Sequence, residues 1–304
     1  MNTDQFQRSY ADFGLRRSVR QVRHALESRG RAEADMQQLF ESMAVPEMRI
    51  EQRLGEAIEN KRILEIGPGQ GMERALYFGR KNDVVAIDRD IIPTGIDPAL
   101  YWRMARENGV GRVVKTAGRH LLIGRAKQAS WAKLVGEDEA NPPTLRYGDI
   151  ESDPLEPEAF DVVTTWSVFE HLGRPRPALE NVIASLKPGG VLHISIHVFT
   201  AHDGHHDIRA FTGEGDDLPL WGHLRPATKH QINPSSYLNE WRIHQWRELF
   251  EELTPGADEH LDEYEVRERF GPQLTPKLRE ELAEYSDEEL FTVNAVYVWR
   301  KPSD

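Results

Sequence analysis

Between about residues 61 and 200 the chain alternates short apolar runs with helix-like stretches, and the runs "RILEI", "DVVAID", "FDVVTTW" and "VLHISIHVF" are rich in β-branched residues. Strands separated by helical crossovers do not pair as hairpins. They are expected to lie parallel in one sheet with helices on both faces, an α/β fold. Open sheets of this kind take ligands at the carboxyl ends of their strands. That edge is where function is expected.

The flanks read differently. Leu15, Val19, Val22 and Leu26 recur at i, i+4, i+7 and i+11, and Met36, Phe40 and Met43 keep the same period, so residues 1–60 are expected to form an N-terminal helical extension of amphipathic helices. The domain proper is expected over residues 61–304. The interval 93–143, with "PALYWRMARENG" and "GRHLLIGRAKQASWAKL", exceeds what one crossover helix needs. Its second half, 112–143, is read as a helical insertion serving as scaffold, homo-oligomer contact or lid. A loop at 199–235, rich in His, Gly, Asp and Pro, is too long for a simple connector and is expected to carry substrate contacts. In "SSYLNEWRIHQWRELFEEL" Ser235 or Ser236 is placed to cap a helix, and "LFTVNAVYVWRKP" reads as a closing strand ended by Pro302, with a charged helix "TPKLREELAEYS" before it.

Composition narrows the function. The 304 residues contain no cysteine, which excludes thiolate metal sites, thiol nucleophiles and disulfides. The net charge of −12 opposes sequence-independent attraction to nucleic acid or anionic lipid. No run approaches the ~18 apolar residues of a membrane span, and the polar start lacks the order of a secretory signal. A cytoplasmic protein acting on a small molecule, with no nucleic-acid or membrane partner, is the expectation.

The stretch "ILEIGPGQG" ends a strand at Ile66 and turns through Gly67, Pro68, Gly69, Gln70 and Gly71 into a helix near Met72. Glycine belongs where the backbone turns sharply or where a side chain would collide with a ligand, and the helix behind contributes free N–H groups. Asp88, at the end of the second strand, is placed to accept hydrogen bonds from both ribose hydroxyls of a nucleoside. A dinucleotide fingerprint, GxGxxG, would need glycine where Met72 stands. Glu65 would also repel a diphosphate, whereas it suits a ligand carrying an ammonium and a sulfonium.

With these residues the sequence resembles the class I S-adenosylmethionine-dependent methyltransferases. "EIGPGQG" fits their first motif, Asp88 the ribose-binding acid, "YGDI" the adenine-binding turn, "FDVVTTWSVFEHL" the fourth strand and its turn, and "LKPGGVLHIS" the approach to the fifth strand. The resemblance runs from about residue 61 to 200, with the motifs in order. It implies a Rossmann-like seven-stranded sheet, mostly parallel with the last strand antiparallel, and S-adenosyl-L-methionine as cofactor. It further implies that Glu65, Gly67, Gly69 and Gly71, with Pro68 in the same turn, hold the methionine part, Asp88 the ribose, and Asp149 with Ile150 the adenine.

Methyl transfer is an in-line displacement in which alignment contributes much of the acceleration, and a hydroxyl acceptor must also lose a proton. Seven of the twelve histidines fall between His193 and His230. His197, nearest the carboxyl end of its strand, is the first candidate base. His206, with Asp207 beside it as orienter, is the second. His and Asp are competent metal ligands, yet Gly204 interrupts a helical pair and no fixed ligand spacing emerges, so no metal is expected. Phe199, Phe211, Trp221 and Tyr237 are candidates to wall an acceptor pocket, and Arg209 and Arg225 to meet an anionic group on the acceptor. The alternatives are an NAD(P)-dependent oxidoreductase on a related sheet and a non-catalytic cofactor-binding scaffold.

Overall fold

The computed structural model describes residues 30–69, 71–89, 102, 106, 125–136, 141–211 and 215–303. The helix expected at Leu15 to Leu26, the first part of the insertion and all of "PALYWRMARENG" except Trp102 and Arg106 lie outside the described residues.

Seven strands form one sheet in the order β3-β2-β1-β4-β5-β7-β6, where β1 is Arg62–Ile66, β2 Asp83–Asp88, β3 Thr144–Tyr147, β4 Phe160–Trp166, β5 Leu186–His197, β6 Asp258–Asp262 and β7 Asn294–Arg300. β1 runs parallel to both β2 and β4, and β2 parallel to β3, whereas β6 and β7 are antiparallel, as the resemblance implies. A central parallel strand is covered on both faces, which is why "RILEI" is apolar without alternation and Ile63, Leu64 and Ile66 are all buried.

The described residues divide into two compact units, the first comprising those among 19–165, 181–193 and 300–303. In it, α1 (Ala32–Ser42) and α2 (Ala44–Leu54) turn Met36, Met43, Ile50 and Leu54 inward, the period read in the sequence. The ring of Phe40 meets Tyr77 of α3 (Glu73–Gly79) edge-on at 5.3 Å and Trp131 of α4 (Arg125–Val135) at 5.9 Å. Tyr77 donates its hydroxyl to Glu47 at 2.6 Å. The N-terminal helices and the described part of the insertion therefore share one packed layer.

The second unit comprises residues 166–180 and the described residues of 194–299. Its core gathers Trp221, Leu224, Val266, Phe270, Leu278, Leu282, Leu290 and Phe291. α5 is Pro175–Ser185 and α6 Ile243–Leu253, and Phe250 on α6 stacks on Tyr297 of β7 with ring centroids 3.9 Å apart. α6 begins later than the serines suggested: Arg242 is its N-cap and Gln245 accepts the Arg242 N–H at 2.9 Å. Ser235 instead donates its hydroxyl to the carbonyl of His206 at 2.7 Å. Asn239 donates to the carbonyls of Phe169 at 2.8 Å and Leu172 at 3.2 Å, which holds the preceding segment extended. Tertiary hydrogen bonds here override a local capping signal. Of the expected helix "TPKLREELAEYS" only Pro276–Glu281 is helical, capped by Thr275, and it ends at Leu282, short of the expected end. Among the described residues no helix is long and apolar enough to cross a membrane.

Candidate functional site

In the first unit the turn after β1 is rich in glycine, with Gly67, Gly69 and Gly71 at alternate positions. Gly67 adopts φ +67° while its N–H stays bonded to the Ile87 carbonyl at 2.9 Å, and Gly69 adopts φ +68°. A Cβ on Gly69 would meet nothing within 4 Å, so the bare backbone at this point faces open space. Met72, where a dinucleotide fingerprint would need its third glycine, is left-handed at φ +49° and is the N-cap of α3. The left-handed residues let the chain reverse from strand to helix within a few positions.

Glu65, one residue before the end of β1, is 1 % exposed and its Oε2 has no hydrogen-bond partner among the described residues. Burial pushes its pKa up to about 8, with Arg74 pulling down and Glu73 adding to the rise. A buried carboxyl without a donor is costly unless a cation or donor arrives, so Glu65 is suited to receive a ligand's ammonium.

The parallel register brings the ends of β2 and β3 to the same edge: Asp88 lies opposite Tyr147, and the Gly148 N–H donates to the Asp88 carbonyl at 3.1 Å. Asp149 builds the next turn, accepting the Glu151 N–H on Oδ1 at 3.0 Å, while its own N–H donates to Asp153 at 2.8 Å. Ile150 is buried. The brace behind this turn, which sequence reasoning missed, is Asn181: its Nδ2 donates to the carbonyls of Ile150 at 3.0 Å and Asp153 at 2.7 Å, and its Oδ1 accepts the Leu155 N–H at 2.9 Å.

The second unit holds the histidines. β5 ends at His197, and the loop folds straight back on it through successive turns, with N–H groups of Ala201, Gly204 and His206 bonded to carbonyls three residues earlier. Only glycine fits at 204, since a Cβ there would stand 2.3 Å from the carbonyl oxygens of both Val198 and Phe199. This tight return brings Asp203 Oδ1 to 3.0 Å from His197 Nε2 and His206 Nε2 to 2.9 Å from His197 Nδ1. The two candidate bases are thus hydrogen-bonded to one another. Burial lowers His197, but the hydrogen bond and charge of Asp203 outweigh it and the net direction is upward, while burial also raises Asp203 yet His197 holds it well below the usual carboxylate range. Burial, with His197 and His171 nearby, pushes His206 down to about 3.

The expected orienter of His206 is not Asp207. That carboxylate is fully buried against Arg209, with Nη2 at 2.6 Å and Nε at 3.0 Å, and accepts the Asn233 N–H at 2.8 Å. A bidentate guanidinium and a backbone donor take up its oxygens, so Asp207 fastens the loop. Arg209 and Arg225, candidates for an anionic acceptor, are engaged within the protein, Arg225 by Glu281 at 2.6 Å. Trp221 is buried in the core, whereas Phe199 lines a cavity of about 110 Å³ with His205, His223, Ile232 and Ser236. The side chain of Phe211 lies outside the described residues.

Two neighbours were not legible as site residues. "FEH" forms a single 3₁₀ turn in which Glu170 is 2 % exposed and neither carboxylate oxygen makes a well-formed hydrogen bond among the described residues. Its burial pushes the pKa to about 7. His171 donates Nδ1–H to the Tyr237 carbonyl at 2.7 Å, with Nε2 4.0 Å from Glu170. The available signal was the Glu170–His171 pair set between the apolar residues Phe169 and Leu172.

The sheet order, the bare turn after β1 and the acid ending β2 define the class of nucleoside-binding α/β proteins in which ligands lie at the strand ends. A family model described as "Methyltransferase domain" matches residues 24–253, and the chain belongs to that family. It is an S-adenosylmethionine-dependent methyltransferase, and the oxidoreductase alternative falls. Solved structures with a similar fold include the YcgJ protein of Bacillus subtilis (16 % identity over 83 % of this chain and 99 % of that one, TM-score 0.40) and phosphoethanolamine N-methyltransferase 2 of Haemonchus contortus in complex with S-adenosyl-L-methionine (16 %, 84 % and 52 %, 0.44). The complex of the Trm112 methyltransferase activator of Haloferax volcanii with its methyltransferase is another (16 %, 91 % and 98 %, 0.40). Likenesses this loose carry no argument about the acceptor. No protein of curated function matches the chain significantly.

Proposed function

We propose that the enzyme methylates an oxygen of a small molecule or sugar-containing metabolite, with the His197–His206 pair taking up the acceptor's proton. The observation that carries the cofactor half is Glu65, a buried carboxylate oxygen left without a hydrogen-bond partner among the described residues, beside a glycine-rich turn. S-adenosylmethionine supplies an electrophilic methyl group on a sulfonium. Glu65 receives its ammonium, the backbone at Gly67, Pro68, Gly69 and Gly71 lies against the methionine part, Asp88 accepts from the ribose, and the Asp149–Ile150 turn borders the adenine.

For the acceptor half, support comes from the chain Asp203 to His197 to His206, in which a carboxylate fixes one imidazole and that imidazole fixes the next. With Asp203 beside its Nε2, His197 is the more basic of the two rings and the one that retains the proton, and His206 Nε2 lies against its Nδ1. The cavity beside Phe199 suits a small acceptor group, and Ser236 both lines it and lies 3.4 Å from His171. The net charge of −12 disfavours a nucleic-acid acceptor. Residues 1–60 and 112–143 are read as scaffold and as surfaces for self-association.

Incubation with methyl-labelled S-adenosylmethionine and a panel of hydroxylated, amino and carbon acceptors tests this. Label is expected on oxygen, with turnover falling about 10²-fold or more in His206→Gln while S-adenosylhomocysteine still binds. Label on nitrogen or carbon rejects the acceptor assignment, undiminished turnover in the variant rejects the base, and binding with no turnover on any acceptor favours the scaffold.

A further inference from the structure

We propose that Glu170, His197 and His206 form a binding site for one divalent first-row transition-metal ion. A carboxylate oxygen of Glu170 and one ring nitrogen from each histidine lie within 4.8 Å of one another. The two ring nitrogens are 2.9 Å apart. Two nitrogens each about 2.0–2.1 Å from a single ion and at right angles around it are separated by about that distance. Two histidines and one carboxylate on one side of an ion are a donor set that suits divalent iron, manganese, cobalt and zinc and leaves positions open.

Three independent features favour a cation over a mere polar cluster. Glu170 is 2 % exposed with both oxygens lacking a well-formed hydrogen bond among the described residues, an arrangement that a metal ion compensates and apolar burial does not. The outer nitrogen of His197 faces Asp203 at 3.0 Å, the carboxylate-to-imidazole pairing that fixes a metal-binding histidine in one tautomer. The backbone is tied on both sides: Asn239 accepts no freedom for the Glu170 turn, its N–H bonded to the Glu170 carbonyl at 2.9 Å, and Ser235 holds the His206 carbonyl through both N–H, at 3.0 Å, and hydroxyl, at 2.7 Å. His206 itself is held at φ +49°, a left-handed conformation uncommon for a side-chain-bearing residue. Sequence spacing concealed the set because Glu170 lies on the turn after β4 and the histidines lie on β5 and its return loop.

The site stands on this geometry alone. Its use rests on the oxygen-methylation reading above: an ion there would hold and polarise an acceptor oxygen, and the directly hydrogen-bonded histidine pair is then the metal-free form of the same device.

The full chain, dialysed against chelator, is titrated with Co(II) and Zn(II) by calorimetry and, for Co(II), by visible absorption. One ion per chain with micromolar or tighter affinity is expected. Glu170→Gln and His206→Gln should each weaken it about 10²-fold, Asp203→Asn about 10- to 100-fold, and exposed His230→Gln should leave it unchanged. S-adenosylhomocysteine binding by each variant reports that it remains folded. Failure of the folded wild-type chain to bind either ion, or equal binding by the Glu170 and His206 variants, overturns the site. Activity separates the two readings. Full turnover without bound metal, lost in His206→Gln, overturns the metal's role and keeps the base, whereas metal binding with label on nitrogen or carbon keeps the site and overturns the oxygen reading.

Discussion

At the scale of single residues the account turns on Glu65. In the ligand-free protein burial holds its proton up to about pH 8, against an ordinary value of 4.5. Between those values the folded chain binds a proton that the unfolded chain has lost, so this group makes stability fall as pH rises through the window and level off above it. Glu65→Gln should remove that slope and leave the ligand-free variant more stable than wild type at pH 8, as thermal unfolding across pH will show. A ligand's ammonium needs the carboxylate, so S-adenosylhomocysteine, whose α-amino group is charged at neutral pH, should displace the proton. Calorimetry near pH 6.5 in buffers of different ionisation enthalpy should register release of about one proton, and none in Glu65→Gln. Asp88→Ala should weaken cofactor binding about tenfold or more with little change in saturated turnover, the loss expected for charge-assisted hydrogen bonds.

At the scale of elements, each unit has one turn that shapes its candidate residues, and each turn is fixed by one residue. Asn181 makes three hydrogen bonds to the backbone between Ile150 and Leu155. Asn181→Ala leaves those groups to water or to nothing, and is expected to cost about 1–2 kcal/mol and to lower cofactor affinity through the loosened turn. Gly204→Ala places a Cβ 2.3 Å from two carbonyl oxygens, so the loop must move. Loss of about 1–3 kcal/mol in unfolding free energy, with reduced turnover, is expected, and a variant as stable and active as wild type would reject the tight return as the device that assembles the histidines. What could be read in the sequence follows from the range of the forces. Strand pattern, the Gly67 to Gly71 turn and Asp88 are local, and the structure has them where the pattern put them. The partner of His206, the burial of Glu170 and the late start of α6 depend on Asp203, on packing and on Asn239, which no spacing along the chain expresses. Asp207 illustrates the trap: adjacent in sequence to His206, it pairs with Arg209 because that guanidinium meets it in two-point geometry.

At the scale of the whole molecule, the strand order agrees with the alternation of elements and the antiparallel β6–β7 pair with what the resemblance implies, while α1 packs on α4 through Phe40 and Trp131. The central claim is that the first crossover accepts a cationic amino-acid nucleoside and rejects phosphates. Calorimetric titration of the full chain with S-adenosylhomocysteine, and separately with NAD⁺, tests it most directly. Saturable binding of one S-adenosylhomocysteine per chain, weakened about tenfold or more in Glu65→Gln, with no heat from NAD⁺, is the expected result. Saturation by NAD⁺ with no response to S-adenosylhomocysteine would contradict it.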